Sequence, residues 1–346
     1  MNHRFAQRGA QSTAILDHGG NVAAAMVRFP AAPTPWIDLS TGVNPWPYPV
    51  PRLPATAWTR LPDCEAESGL RAAAAEAYGA PDADCVAAAA GSQALIQLLP
   101  RLRAASRVAV LEPTYAEHAL CWRAVGHAVV AVDSFNALQA PDLDVAVVVN
   151  PNNPDGQRHP APALLQLAET LAARRGWLVV DEAFGDLTPE LSLAGAADSP
   201  GLIVLRSFGK FFGLAGLRLG FALSAPPLAA RIRDALGPWP VNGPACALGP
   251  LALSDSDWVR ATRDHLVTAA ERLDRLLVAH GLEVVGGTSL FRLARAERAA
   301  ALFTALAQAG ILVRPFDRHP HWLRFGLPPN PAACDRLEQA LAAAKG

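Results

Sequence analysis

Five consecutive apolar residues, Val145–Val149, run with no polar alternation and end in Asn150-Pro151-Asn152-Asn153-Pro154-Asp155-Gly156. A strand that is apolar at every position has both faces buried, as in the middle of a parallel sheet covered by helices. Other short β-branched runs recur at Val108–Leu111, Ala128–Val132, Leu178–Val180, Leu202–Leu205 and Leu217–Ala222. Helical patterns separate several of them: Tyr115–Val125 and Ala161–Arg175, after Glu67–Tyr78 (closed by Gly79) and Ser92–Leu102 (opened by Gly91). Alternating β and α units predict an α/β fold with a mostly parallel sheet flanked by helices. Ala87–Ala90 is compatible with helix or with tightly packed filler.

The two ends of the chain differ from this middle. Up to about Pro62 the sequence is rich in proline, which forbids a long helix or a central strand. Its apolar anchors, Trp36, Ile37, Leu39, Val43 and Trp46, suit an extended arm laid over a surface, with a partner subunit's as one candidate. After a boundary near 225–245 the pattern becomes a long amphipathic helix over Asp257–Leu277, short strands at Leu290–Leu293, Ile311–Val313 and Trp322–Phe325, and helices at Glu297–Ala309 and Pro331–Ala343. At ~150 residues per domain the length suggests about two domains. The expected division is an arm and entry to the small domain over 1–62, a large domain over 63–235 and a smaller α+β domain over 236–346.

Charge and composition exclude several classes. The net charge of −1 is a poor footprint for nucleic acid or an anionic membrane. No apolar run reaches the ~18 residues of a membrane span, and no hydrophobic segment follows the basic start, so a cytoplasmic location is expected. Cys64, Cys85, Cys121, Cys246 and Cys334 are scattered with no CxxC, as expected of core residues in a reducing compartment, and no metal is anticipated. No GxGxxG follows an early strand, which argues against a nicotinamide oxidoreductase.

In open α/β sheets functional groups gather at the carboxyl ends of the strands. Here those ends carry Asn150–Gly156, then Asp181-Glu182-Ala183-Phe184, then Arg206-Ser207-Phe208-Gly209-Lys210, with Arg218 in Gly216–Gly220. Lys210 sits among Phe208, Phe211, Phe212 and Leu214 in a chain poor in lysine. Desolvation disfavours its ammonium form, and a neutral amine can form a Schiff base with a carbonyl.

This series resembles the fold type I pyridoxal-phosphate (PLP) enzymes, the aspartate aminotransferase superfamily. The spacings agree: 28 residues from Asn153 to Asp181, 29 from Asp181 to Lys210 and eight from Lys210 to Arg218. The resemblance spans residues 15–343 and implies a large domain with a mostly parallel seven-stranded sheet, a smaller α+β C-terminal domain, an N-terminal arm and a homodimer. It implies that Lys210 binds the cofactor aldehyde as a Schiff base and that Asp181 pairs with the pyridinium nitrogen. Asn153 is then the donor to the ring oxygen and Tyr115 the ring that stacks on the cofactor. Gly91, Ser92 and Gln93 at a helix start, with Ser207 and Arg218, are the implied phosphate ligands.

Within that superfamily His18-Gly19-Gly20-Asn21 and Ser40-Thr41-Gly42-Val43-Asn44-Pro45 resemble the threonine-phosphate decarboxylases of cobalamin biosynthesis, relatives of the histidinol-phosphate aminotransferases. The implied substrate is a small phosphorylated amino acid, L-threonine O-3-phosphate, converted to (R)-1-amino-2-propanol O-2-phosphate. Arg324 is implied as the carboxylate ligand, with Arg314 and His18 on the substrate phosphate. Aminotransfer is the alternative. The bond cleaved is the one perpendicular to the cofactor ring, which motifs do not reveal. Intact Lys210, Asp181 and Arg218 argue against a non-catalytic relative. Four positions depart from family habit: Leu61 for a tyrosine, Gly42 for an asparagine, Asp155 for a threonine, and Gly209 for threonine or serine.

Overall fold

The computed structural model describes residues 19–344. The chain enters through helix Val22–Arg28 and a two-residue strand, β1 (Ile37–Asp38), before the main sheet begins. Seven strands make that sheet: β2 (Val86–Ala89), β3 (Arg107–Leu111), β4 (Ala128–Val132), β5 (Val145–Val149), β6 (Trp177–Glu182), β7 (Leu202–Ser207) and β8 (Gly220–Ser224). Their order is β2-β8-β7-β6-β5-β3-β4. Only the β2–β8 and β7–β8 pairings are antiparallel, so the expected mostly parallel sheet is present.

Every residue of β5, β6, β7 and β8 is buried. Side chains alternate across the pleat, so Val145 and Val147 enter one apolar cluster while Ala146 and Val148 enter the other. Helices cover both clusters. Helix Ala161–Ala172, between β5 and β6, buries Leu164, Leu167, Ala168 and Leu171, the i, i+3, i+4, i+7 stripe of a core-facing helix. Helix Cys64–Tyr78 starts where the Asp63 carboxylate accepts from the Ala66 N–H and stops at Gly79, whose φ is +72°.

Two expectations along the sheet are corrected. The alanine run is an edge strand, because β2 lies antiparallel on β8 and packs against helices Cys64–Tyr78 and Pro226–Leu236. Alanine has little strand preference of its own, and the small side chains are chosen by that close packing. The strand expected from Leu217 starts at Gly220, because Ala215–Leu217 forms a 3-10 turn and Arg218 takes φ +54°. Helices Pro226–Leu236 and Gly243–Ser254 fill the stretch from which the sequence pattern drew no element.

A second sheet follows, built from β9 (Glu283–Thr288), β10 (Phe291–Arg295), β12 (Arg314–Pro315) and β13 (Trp322–Gly326), while β11 (Ile311–Leu312) pairs in parallel with β1. Its order is β12-β13-β10-β9, all antiparallel, packed on helix Ser256–Ala279. The arm therefore lies on its own chain over these residues. Gly326 N–H donates to Leu39 at 2.6 Å, Asn44 N–H to the Lys210 carbonyl at 2.9 Å and Tyr48 N–H to Phe212 at 2.9 Å. It ties the small sheet to the lysine turn.

Candidate active site

The carboxyl ends of β5, β6 and β7 open into a cavity of about 270 Å3. Gly91, Ser92, Gln93, Tyr115, Asn153, Asp181, Ser207, Lys210 and Arg218 all line it. These are the nine residues singled out from sequence for the cofactor.

Lys210 projects from the one-turn helix Phe208–Phe211 that follows β7. Phe208 and Phe212, which flank it in sequence, stack on each other with centroids 4.3 Å apart and nearly parallel planes. Burial, with the Arg324 and Arg218 charges adding to it against Asp181, lowers the ammonium pKa to about 8. The amine is thus half neutral near pH 8, well below the pH an ordinary lysine needs.

Asp181, at the end of β6, is buried and fixed at both oxygens. One accepts from the Ala183 N–H at 2.9 Å and the other lies 2.9 Å from His118 Nε2. His118 was missed in the sequence. Its available signal was a polar residue on the buried face of helix Glu117–Ala124, three positions after Tyr115. On the other side of the same strand ends, Arg206 joins Glu182 at 2.8 Å and Asp186 at 2.6 Å, a buried cluster that locks β6 to β7 next to Asp181 and Ser207.

Tyr115 donates its hydroxyl to Gln93 Oε1 at 3.1 Å. Burial, reinforced by Glu117 and Asp181, pushes its pKa to about 12, so the ring stays neutral. Asn153 accepts from Arg324 through its amide oxygen, which leaves the amide NH2 to donate into the cavity. Asn152 braces the turn, donating to Pro113 at 2.7 Å and to Asp155 at 2.8 Å.

At the far end, Gly91 takes φ +86° and a Cβ there would stand 2.7 Å from Arg218 Nη2. A Cβ on Gly220 would meet Ser92 N at 2.3 Å. Glycine at both positions lets the guanidinium and the first helical N–H groups crowd one small space beside Ser207. That is a cradle for a dianion, and with a low-pKa amine and a buried carboxylate beyond it, the residues fit a phosphorylated aldehyde cofactor.

Arg324, on β13, is buried at the cavity's edge with Nη2 donating to the Ser40 carbonyl at 2.7 Å and Nε lacking a hydrogen-bond partner among the described residues. Burial, and then Arg314, depress its pKa to about 9, while Asp38 opposes the shift. Arg314 is its direct partner on β12, with its guanidinium 5.5 Å from the Phe316 ring. Neither arginine is among the cavity-lining residues; they flank it from the small sheet. His18 lies outside the described residues.

The departures acquire physical reasons. A Cβ on Gly42 would come within 2.8 Å of Phe291, in the Phe184–Phe291 pair, and one on Gly209 would come within 2.8 Å of the Ala215 Cα. Asp155 caps its own turn through Asn152 and the Gln157 N–H. Leu61 is 65% exposed and borders a separate groove rather than the cavity.

A family model described as aminotransferase class I and II matches residues 37–341. The chain is 49% identical to a threonine-phosphate decarboxylase of Pseudomonas aeruginosa, covering 94% of this chain and 97% of that protein. It is 46% identical to one from Sinorhizobium sp, covering 95% and 98%. Among solved structures, histidinol-phosphate aminotransferase from Sinorhizobium meliloti in complex with pyridoxal-5'-phosphate superposes with a TM-score of 0.75 over 98% of both chains. At 21% identity that likeness establishes the fold alone.

Proposed function

The chain belongs to the class I and II aminotransferase family, and on that premise we propose a PLP-dependent enzyme that decarboxylates L-threonine O-3-phosphate. Its product is (R)-1-amino-2-propanol O-2-phosphate, in cobalamin biosynthesis. The observation that carries this reading is near-full-length identity of 49% and 46% to two threonine-phosphate decarboxylases.

PLP, when bound, supplies a conjugated electron sink for the bond broken at the substrate Cα. The residues of this chain supply the rest. Lys210, with its depressed pKa, is the amine that would hold the cofactor aldehyde and, when freed, the group that would take up a proton and pass it to the substrate Cα. Asp181, oriented by His118 and the Ala183 N–H, would pair with the pyridinium nitrogen and keep its proton in place. Asn153 and Tyr115, both lining the cavity, would hold the ring by a hydrogen bond and by packing respectively. Arg218, Ser207 and the Gly91-Ser92-Gln93 helix start bind the cofactor phosphate.

Arg324 grips the substrate carboxylate through its fork, and Arg314 with His18 takes the substrate phosphate. Held at both ends, the substrate presents its carboxylate bond for cleavage. Aminotransfer is the second reading, favoured by the 33% identity to histidinol-phosphate aminotransferase 2 of Ralstonia nicotianae. Incubating PLP-loaded protein with L-threonine O-3-phosphate decides between them. CO2 release with the bound-cofactor absorbance retained supports the decarboxylase; conversion to pyridoxamine phosphate without CO2 overturns it.

The same reading includes a homodimer, the cytoplasm as its compartment, and the division into an arm over 1–62, a large domain over 63–235 and a small domain over 236–346. Support for the dimer is an apolar groove beside Ala90, next to the phosphate cradle, edged by Trp58, Leu61 and Trp239, which are 69%, 65% and 53% exposed. Sedimentation of the wild type as a dimer and of Leu61→Asp as a monomer is expected; a monomeric wild type refutes it. The compartment is supported by five cysteines that are all unpaired. Among the described residues no helix is long and apolar enough to cross a membrane.

A further inference from the structure

Strand β9 carries two adjacent glycines, Gly286 and Gly287, that no step above uses. Both lie against the turn that presents Asn153. The Gly287 N–H donates to the Asp155 carbonyl at 2.7 Å. A Cβ on Gly286 would stand 2.1 Å from that same oxygen, and one on Gly156 would stand 1.9 Å from the Gly287 carbonyl oxygen. Backbone rests directly on backbone here, with no room for a side chain.

Strand pairing carries this contact to the arginines. Gly286 pairs with Leu293, Leu293 with Arg324, and Arg324 with Arg314. Directly paired residues share one face of an antiparallel sheet, so the Cβ position of Gly286 and the Arg324 side chain point to the same side. Two strand spacings separate them, roughly 10 Å. From there the Arg324 guanidinium reaches back to Asn153, two residues before Asp155. A single turn is thus held at its carbonyl by one edge of the small sheet and at its amide side chain by Arg324.

We infer that Gly286 is a positioning residue for the carboxylate-binding arginine: its missing Cβ lets the small sheet sit down on the cofactor turn and fixes where Arg324 stands. The inference rests on the role proposed above for Arg324. Gly286 does not take a positive φ, so alanine suits its backbone and disturbs the docking alone. Accommodating that methyl lifts the sheet by about 1 Å, and a misplacement of that size can cost ~10²-fold.

The test uses PLP-loaded wild type, Gly286→Ala and, as control, Gly69→Ala, whose Cβ meets nothing within 4 Å. Binding is measured for L-threonine O-3-phosphate, which has a carboxylate, and 1-amino-2-propanol O-2-phosphate, which lacks one. O-phospho-L-serine and O-phosphoethanolamine run alongside as a second such pair. Gly286→Ala is expected to bind the carboxylate-bearing member at least about tenfold more weakly. The amine partner and the cofactor absorbance stay unchanged, as does everything in the control. Equal weakening of both members overturns the inference, as does no weakening of either. Failure of the wild type to release CO2 from threonine phosphate sinks the functional reading instead, and the phosphoserine pair still tests Gly286. Hydrogen exchange in the wild type needs no variant: the Gly287 amide is expected to be protected, and free exchange overturns the docking.

Discussion

Asp181, Ser207 and Lys210 come from the ends of two adjacent strands of one sheet, whereas Arg314 and Arg324 come from a second sheet, with Arg324 backed by the arm. The cofactor cavity inherits its geometry from the central ladder β5-β6-β7, where every residue is buried. The substrate arginines depend on docking: the Arg324–Asn153 and Arg324–Ser40 contacts and the Gly287–Asp155 hydrogen bond. The lesson is a contrast in construction. The proposed cofactor residues sit on one buried ladder, and the proposed substrate arginines sit on parts held by contacts between distant segments.

That contrast is testable by perturbing each side separately. The largest effect is expected from Lys210→Ala, which removes the covalent attachment. The bound-cofactor absorbance should vanish and turnover fall by at least about 10³-fold. Survival of that band breaks the assignment of the cavity. Arg324→Gln should instead leave the cofactor band in place while KM for the substrate rises by about 10²-fold, the cost of losing a bidentate charged contact. A loss of cofactor binding as well would erase the distinction between the two regions.

His118→Asn sharpens the cofactor side. Freed of its 2.9 Å neighbour, Asp181 is less well oriented, and kcat should drop by about tenfold with KM little changed. A rise in KM alone would place His118 with the substrate groups. The gentlest probe is pH. Burial lowers the Lys210 pKa to about 8, so the reactive amine is lost as pH falls through 8 and approaches its full amount about one unit above it. The rate at which apo-protein captures PLP should therefore climb with pH, with a midpoint near 8. A midpoint near the ordinary lysine value of about 10 would remove desolvation as the cause.

The cofactor half was legible from the sequence because its residues follow strands whose apolar runs announce themselves. Asn153, Asp181 and Ser207–Lys210 each sit just past such a run, and the structure gathers all nine of the proposed cofactor residues. His118 was only partly legible: its place on a helix face three positions after Tyr115 was a signal, but nothing local says which strand end that face will meet. The alanine strand β2 was missed because its identity depends on the helices packed over it. Gly42 and Gly209 looked like weaknesses in the pattern. Both are sites where neighbours, Phe291 and Ala215, leave no space for a Cβ.

Sequence by itself determined the local and periodic parts: buried central strands, the glycine and asparagine turns that end them, and a lysine embedded among phenylalanines. Those follow from interactions among residues near one another in the chain. Tertiary structure decided what long-range packing alone can supply. It drew the arm along its own chain, set Arg324 against Asn153 and Ser40, and laid Gly286 and Gly287 on the Asp155 turn. Each of these contacts joins segments more than a hundred residues apart, and no local preference encodes such a meeting.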